Sequence, residues 1–280
     1  MDDIKTAHDH NSAASTDTGA VRKLNEDTYL TNPDCGLYLV ADGMGGHQSG
    51  DVASAITRDT VAERVASGDD LTSAIQLAHR NILDAATSRE NSSGMGSTIV
   101  AMSLDGDDYE IAWVGDSRAY LWDGSLMQIT RDHSYVRDLV ESGAITPEEA
   151  KTHPSRHLLI RCLGAEDDGK PLAVDTRRGR FSEGQELLLC SDGLTGELED
   201  EDISAILAET ASAQERVNKL VNAAVDHGGK DNVTVILVPA PKKNRRSTGW
   251  LKTAGLVLGG AILAGCILGV AFYMQQQGVF

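Results

Sequence analysis

Apolar and polar positions change period several times along this chain, and each change predicts an element. After a polar lead from Met1 to Thr18, the pattern reads as a strand ending at Asn25-Glu26-Asp27 and a second strand from Gly36 to Ala41. Val52, Ala53, Ile56, Thr60, Val61 and Val65 then recur at helical spacing, as do Leu71, Ile75, Ala78, Ile82 and Ala86, with Asp69 or Asp70 placed to cap the second helix. From Ser97 to Thr130 the period becomes two. Ser97 to Leu104, Tyr109 to Val114, Arg118 to Trp122 and Leu126 to Thr130 predict a four-strand meander. Residues 131–170 are irregular, with short helical pieces around Tyr135–Ser142 and Pro147–Lys151, and so long a weakly patterned segment inside a domain reads as a functional flap. Strands near Leu172–Arg178 and Glu186–Cys190, helices near Glu199–Thr210 and Gln214–Asp226, and a strand Val233–Val238 follow. Strands and helices segregated in this order predict an α+β fold.

The apolar runs carry a second pattern. Leu37 to Val40 precedes Asp42-Gly43, Ile111 to Val114 precedes Asp116, Leu187 to Cys190 precedes Asp192, and the last run follows Asp231. Strands that stop at an acid leave carboxylates at a sheet edge, and several such edges together can hold hard divalent cations, which take oxygen ligands. Asp105-Gly106 and Asp123-Gly124 differ. They sit between alternating runs and read as hairpin turns, where glycine accepts positive φ.

Composition sharpens this. The 280 residues, 41% apolar and 24% charged, are enough for a sizeable core. Five of the 25 basic residues (Lys242, Lys243, Arg245, Arg246, Lys252) follow the last acidic one, Asp231, so residues 1–241 set 20 basic side chains against 42 acidic ones. So acidic a body argues against nucleic acid as a ligand and makes phosphate binding depend on intervening cations. Cys35, Cys162, Cys190 and Cys266 lack C-x-x-C spacing and read as reduced, buried thiols.

The N-terminus has no apolar region of the kind a secretory signal needs. From Thr253 to Met274 no residue is charged, and at about 1.5 Å per residue this run reaches roughly 33 Å, enough to cross a bilayer core. Trp250 and Tyr273 flank it, and the cluster Lys242-Lys243-Asn244-Arg245-Arg246 precedes it. The expectation is a single transmembrane helix at 253–274 after a basic linker at 240–252, with residues 1–249 cytoplasmic and 275–280 outside the cell membrane. Its glycine spacing (Gly255, Gly259, Gly260, Gly265, Gly269) admits a weak homo-oligomer.

Six motifs stand in order: Val21-Arg22-Lys23-Leu24-Asn25-Glu26-Asp27, Val40-Ala41-Asp42-Gly43-Met44-Gly45-Gly46-His47, Gly94-Met95-Gly96-Ser97-Thr98, Val114-Gly115-Asp116-Ser117-Arg118, Ser191-Asp192-Gly193-Leu194 and Lys230-Asp231-Asn232-Val233-Thr234. Together they resemble the metal-dependent Ser/Thr protein phosphatases of type 2C in their bacterial form, over residues 17–239, with residues 1–16 as a polar lead. The resemblance implies a four-layer α-β-β-α sandwich of two antiparallel sheets between helix pairs. It implies that Asp42, the Gly43 carbonyl, Asp192 and Asp231 hold two Mg²⁺ or Mn²⁺ ions, and that Asp116 with Asp192 holds a third, weaker one. Glu26 and Asp27 match positions that hold metal-bound waters, and Arg22 matches the one that holds the substrate phosphate, a role suited to a forked guanidinium. The implied nucleophile is hydroxide shared by two cations, with no phospho-enzyme.

Arg118 and Arg161 lack such support and read as structural ion-pair partners. Met44 stands where animal members carry a proposed general acid, so the acid is unassigned among His47, His133, His153 and a metal-bound water. The resulting expectation is a membrane-tethered phosphatase acting on phosphoserine and phosphothreonine of cytoplasmic proteins, a Ser/Thr kinase among them. The alternatives are a pseudo-phosphatase that binds or scaffolds at the membrane, which loss of a metal aspartate would mark, and an enzyme for one dedicated phosphoprotein. None of the aspartates is lost.

Overall fold

The computed structural model describes residues 12–45, 49–88, 94–165 and 170–241. His47, Cys266, the basic linker from Lys242 onward and the uncharged run Thr253 to Met274 lie outside these residues. Among the described residues no helix is long and apolar enough to cross a membrane.

In chain order the elements are β1 (Ala13–Asp17), β2 (Asp27–Asn32), β3 (Leu37–Met44), α1 (Gly50–Ala66), α2 (Leu71–Ser88), β4 (Gly96–Ser97), β5 (Ile99–Asp105), β6 (Asp108–Val114), β7 (Arg118–Trp122), β8 (Leu126–Gln128), α3 (Tyr135–Glu141), α4 (Pro147–Thr152), β9 (Asp175–Arg180), β10 (Glu186–Cys190), α5 (Asp192–Thr195), α6 (Asp200–Leu207), α7 (Ala213–Asp226) and β11 (Val233–Pro239). Among the described residues they build two antiparallel sheets, ordered β1-β11-β10-β7-β8 and β2-β3-β5-β6-β9, with β4 paired to β3.

The strand side chains explain the layering. In β3, Leu37, Leu39 and Ala41 pack with Ala53 and Val61 of α1 and with Ala74, Ile75, Ala78 and Ile82 of α2. The alternate residues Tyr38 and Val40 face the other sheet, meeting Leu187, Leu189, Ile236 and Val238. In β10 and β11 the complementary positions, Leu188, Cys190, Val233, Val235 and Leu237, pack on Ile203, Val217, Leu220 and Val221 of α6 and α7. The central strands are therefore buried on both faces, and each reads as an unbroken apolar run. Helix ends are set locally: Asp70 accepts from the Ser73 backbone N–H at 2.9 Å, and reciprocal boxes cap α4 (Thr146 with Glu149) and α7 (Ser212 with Glu215).

Several expectations shift. Residues 13–16, assigned to the polar lead, belong to β1, which pairs with β11 from Ala13↔Leu237 to Asp17↔Val233, and Ala13 is buried. The strand placed before Asp27 begins there instead, and the residues ahead of it form a bent loop that Asn232 holds at Thr18, Leu24 and Glu26. The meander is divided between layers: β6 lies in one sheet and β7 in the other, with the crossing at Gly115-Asp116-Ser117. The short α5, opening on Asp192, was not foreseen.

Candidate active site

The crossing between layers places acids from both sheets at one edge. Asp27 and Asp42 are register partners on β2 and β3, Asp116 sits in the β6–β7 crossing, Asp192 opens α5 after β10, and Asp231 precedes β11. Each of the five is half-buried.

Two glycines permit this approach. A Cβ on Gly43 would lie 1.9 Å from the Gly50 carbonyl oxygen, and one on Gly193 would lie 2.0 Å from that of Asn232. The Asp-Gly pairs of the hairpins have the other cause: Gly106 and Gly124 take φ of +60° and +99°, with open space around them.

Electrostatics make the acids a unit. Burial raises Asp42 well above the ordinary carboxylate value, and Asp27, Asp192, Asp116 and Asp231 push it further. Burial likewise raises Asp116, with Asp192 and Asp132 adding to it. Asp192 is raised by burial and then by Asp231, against a hydrogen bond with Asp42 and the opposing charges of His157 and Arg22. Burial lifts Asp27 from 3.8 to about 7, although Thr234 Oγ1 and Ser191 Oγ each donate to its Oδ2 at 2.7 Å.

Asp27 Oδ1 and Asp192 Oδ1 are buried without a hydrogen-bond partner. Crowded, all-oxygen carboxylates with orphaned atoms fit Mg²⁺ or Mn²⁺ by donor type and by charge. Among the described residues no three acid, histidine or cysteine side chains form a closed ligand cluster; Asp231 bonds Arg22, and Asp27 bonds the two hydroxyls.

Arg22 stands beside these acids, its side chain half exposed, and its Nη2 donates to Asp231 Oδ2 at 2.5 Å. That bond, more than the charges of Asp231, Glu26 and Asp42, holds its guanidinium above the ordinary value. The carboxylate of Glu26 is raised by burial and accepts from the Gly50 backbone N–H at the start of α1, where the helix dipole favours an anion.

The arginines without motif support are ion-pair partners, as expected. Arg118 grips Asp132 at 2.7 Å, and Arg161 reaches Asp175 at 2.8 Å. Two of the candidate histidines have engaged Nδ1 atoms: His133 accepts from the Gly115 N–H and His153 from the Ser155 N–H, both at 3.1 Å. Cys35, Cys162 and Cys190 are free thiols, and burial pushes Cys190 up to about 12.

Sequence reasoning gave no role to Asn232, Thr98, Ser191 or Thr234, although all stand inside the quoted motifs. Asn232 clamps the Arg22 loop through three hydrogen bonds. Thr98 bonds the Asp42 backbone in both directions and the Ser117 hydroxyl at 2.7 Å.

Comparisons with known proteins identify the family. The family model described as Protein phosphatase 2C matches residues 15–226. The serine/threonine phosphatase stp of Listeria innocua is 39% identical over 237 residues, 80% of this chain and 93% of that one. The crystal structure of the Mycobacterium tuberculosis serine/threonine phosphatase PstP/Ppp superposes with a TM-score of 0.75 at 36% identity, covering 82% of this chain and 98% of that one. A PstP catalytic domain in complex with two manganese ions gives 0.72 at 34% identity, covering 81% and 96%. The chain belongs to the protein phosphatase 2C family and is a protein-serine/threonine phosphatase.

Proposed function

We propose that this phosphatase removes phosphate from phosphoserine and phosphothreonine of cytoplasmic proteins beside a membrane to which its C-terminal segment anchors it, and so opposes Ser/Thr kinases. The observation that carries the catalytic reading is the crowd of carboxylates from both sheets, with two orphaned buried oxygens and Arg22 bonded to Asp231. Asp42 with the Gly43 carbonyl, Asp192 and Asp231 would hold two Mg²⁺ or Mn²⁺ ions, and Asp116 with Asp192 a weaker third. Cations bound there would supply charge compensation for the phosphoryl group and a water acidic enough to attack it.

The chain's own groups do the rest. Arg22 is placed to trade its bond with Asp231 for two phosphate oxygens, orienting the ester. Asp27, fixed by Ser191 and Thr234, and Glu26, fixed by Gly50, orient water at the cation sites. Without cations the crowded carboxylates repel a phosphate dianion.

The test is hydrolysis of a phosphothreonine peptide by the full chain in detergent with Mn²⁺, with and without EDTA. Turnover should vanish with EDTA and return with metal, and a rate unchanged by EDTA refutes the catalytic reading. The anchor is tested separately, on motives of sequence alone: the uncharged run and the basic cluster before it. The full chain should stay with membranes through carbonate and salt washes, while truncation after Pro241 should give soluble, active enzyme. Release of the full chain by salt refutes the anchor and leaves the phosphatase reading standing.

A further inference from the structure

His133 is fully buried and joins three parts of the protein. Its backbone N–H donates to the Gly115 carbonyl at 2.9 Å, and its Nδ1 accepts from the Gly115 N–H at 3.1 Å, so the residue clasps the turn just before Asp116 at two points. Its carbonyl accepts from the Ile160 N–H at 2.9 Å, and the neighbouring bridge Ser134↔Leu159 stitches the returning limb of the flap to the same place. With Nδ1 accepting, the ring proton is assigned to Nε2, which has Arg161 Nη1 at 3.1 Å and Asp175 Oδ2 at 3.3 Å beside it, the Arg161 guanidinium itself donating to Asp175. The Trp113 ring lies nearly parallel, centroids 6.3 Å apart.

On the far side of the turn, the Ser117 hydroxyl bonds Thr98, which in turn holds the Asp42 backbone. Hydrogen bonds joined through the backbone of residues 115–117 therefore connect residues 158–160 of the flap, by way of His133 and the Asp116 turn, to Asp42. Both ring nitrogens face protein groups.

We propose that His133 is a positioning residue that couples the flap to the Asp116 turn, so that the seating of residues 158–160 sets how tightly the Asp116 site takes its cation. The inference rests on the reading of Asp116 as a ligand of the weaker cation. Its chemistry is asymmetric between the two ring nitrogens, which provides the test. In His133→Asn the amide Oδ1 occupies the place of Nδ1 and keeps the Gly115 bond. In His133→Gln the polar atoms reach toward the place of Nε2 and the Gly115 bond is lost.

The readout is the Mn²⁺ dependence of phosphothreonine-peptide hydrolysis by the full chain, with melting temperature measured beside it. His133→Gln should raise half-saturating Mn²⁺ about five- to tenfold, the equivalent of one lost hydrogen bond, and His133→Asn should stay within about twofold of wild type by the same measure. The Gln change should add nothing in an Asp116→Ala background. Ile160→Pro cuts the flap's bond to the His133 carbonyl without touching the buried ring, and should raise the Mn²⁺ requirement in the same direction. That variant carries the test if His133→Gln does not fold.

Equal curves for His133→Gln and His133→Asn overturn the coupling, as does an Ile160→Pro curve matching wild type. So does a Gln effect that multiplies with that of Asp116→Ala. An Asp116→Ala curve identical to wild type overturns the cation reading itself, and the inference with it; a shifted Asp116→Ala curve beside an unshifted His133→Gln overturns the inference alone.

Discussion

Replacing Asn232 tests how the site is assembled. Its side chain is 4% exposed, and three bonds join it to a segment more than 200 residues away in sequence. Nδ2 donates to the Thr18 and Leu24 carbonyls at 2.8 and 2.9 Å, and Oδ1 accepts from the Glu26 N–H at 2.8 Å. That segment carries Arg22 and Glu26 and leads into Asp27, while Asn232 itself follows Asp231. In Asn232→Ala three bonds go, at about 1 kcal/mol each, for a loss of about 3 kcal/mol. In a domain of this size that lowers the melting temperature by about 6–12 °C. Asn232→Asp keeps the volume and the Glu26 contact, yet turns an anionic oxygen toward two carbonyls and adds charge beside Asp231, so it should cost at least as much. Misplacing Arg22 and Asp27 by even about 1 Å should cut kcat/KM at least tenfold. Calorimetry, with kinetics at saturating Mn²⁺ well below each variant's transition, reads both effects. A variant that melts early but retains wild-type kcat/KM refutes the positioning role, and one that does neither refutes the geometry.

Three further outcomes follow from the crowded acids. Asp42→Asn or Asp192→Asn should leave a folded protein with less than about a tenth of wild-type turnover, a barrier increase above roughly 1.4 kcal/mol. Either should melt higher than wild type in EDTA, because it removes one of several repelling charges, and a lower metal-free melting temperature counts against the crowding. Arg22→Ala should raise KM for phosphopeptides more than it lowers kcat, since a phosphate clamp acts in ground and transition states alike; a fall in kcat with KM unchanged places Arg22 on the transition state alone.

The pH dependence has a definite sign. A carboxyl whose folded-state value is raised contributes stability below its unfolded value and loses it as pH rises through the folded one. Asp27, raised from 3.8 to about 7, should therefore cost metal-free protein up to about 4 kcal/mol by pH 8. Carboxylates held low, such as Asp70 and Asp175, act in the opposite sense but below about pH 5. Urea melts in EDTA should show stability falling between pH 5 and 8, and saturating Mn²⁺ should flatten or reverse that slope, because cations replace the protons. A metal-free stability that rises over this window refutes the assignment.

Much of the site was legible because of where its acids fall. A strand buried between a sheet and a helix pair shows apolar residues on both faces, so Leu37 to Val40 and Leu187 to Cys190 read as solid runs and the acid beyond each is conspicuous. β1 was missed because Ala-Ala-Ser-Thr-Asp has little strand signal of its own; β11, more than 200 residues away, makes it one. The passage from β6 to β7 was misread for a related reason. A short polar turn between alternating segments looks the same whether the next strand pairs with the last or crosses to the other sheet.

The Asp-Gly pairs show where the limit lies. Asp105-Gly106 and Asp42-Gly43 are the same two letters, and in both the glycine is needed. In the first the need is a positive φ, a property of the local chain that neighbouring alternation announces. In the second it is the absence of a Cβ against the Gly50 carbonyl, and in Asp192-Gly193 against that of Asn232, both supplied by other segments. The same holds for the polar clamps. Asn232, Thr98 and His133 each act on a segment distant in sequence, so their residue types reveal a capacity to bond, and only the fold supplies the partner. The gathered acids are marked by the apolar runs that end at them; the groups that hold them in place carry no such mark, even where they stand inside the same motifs.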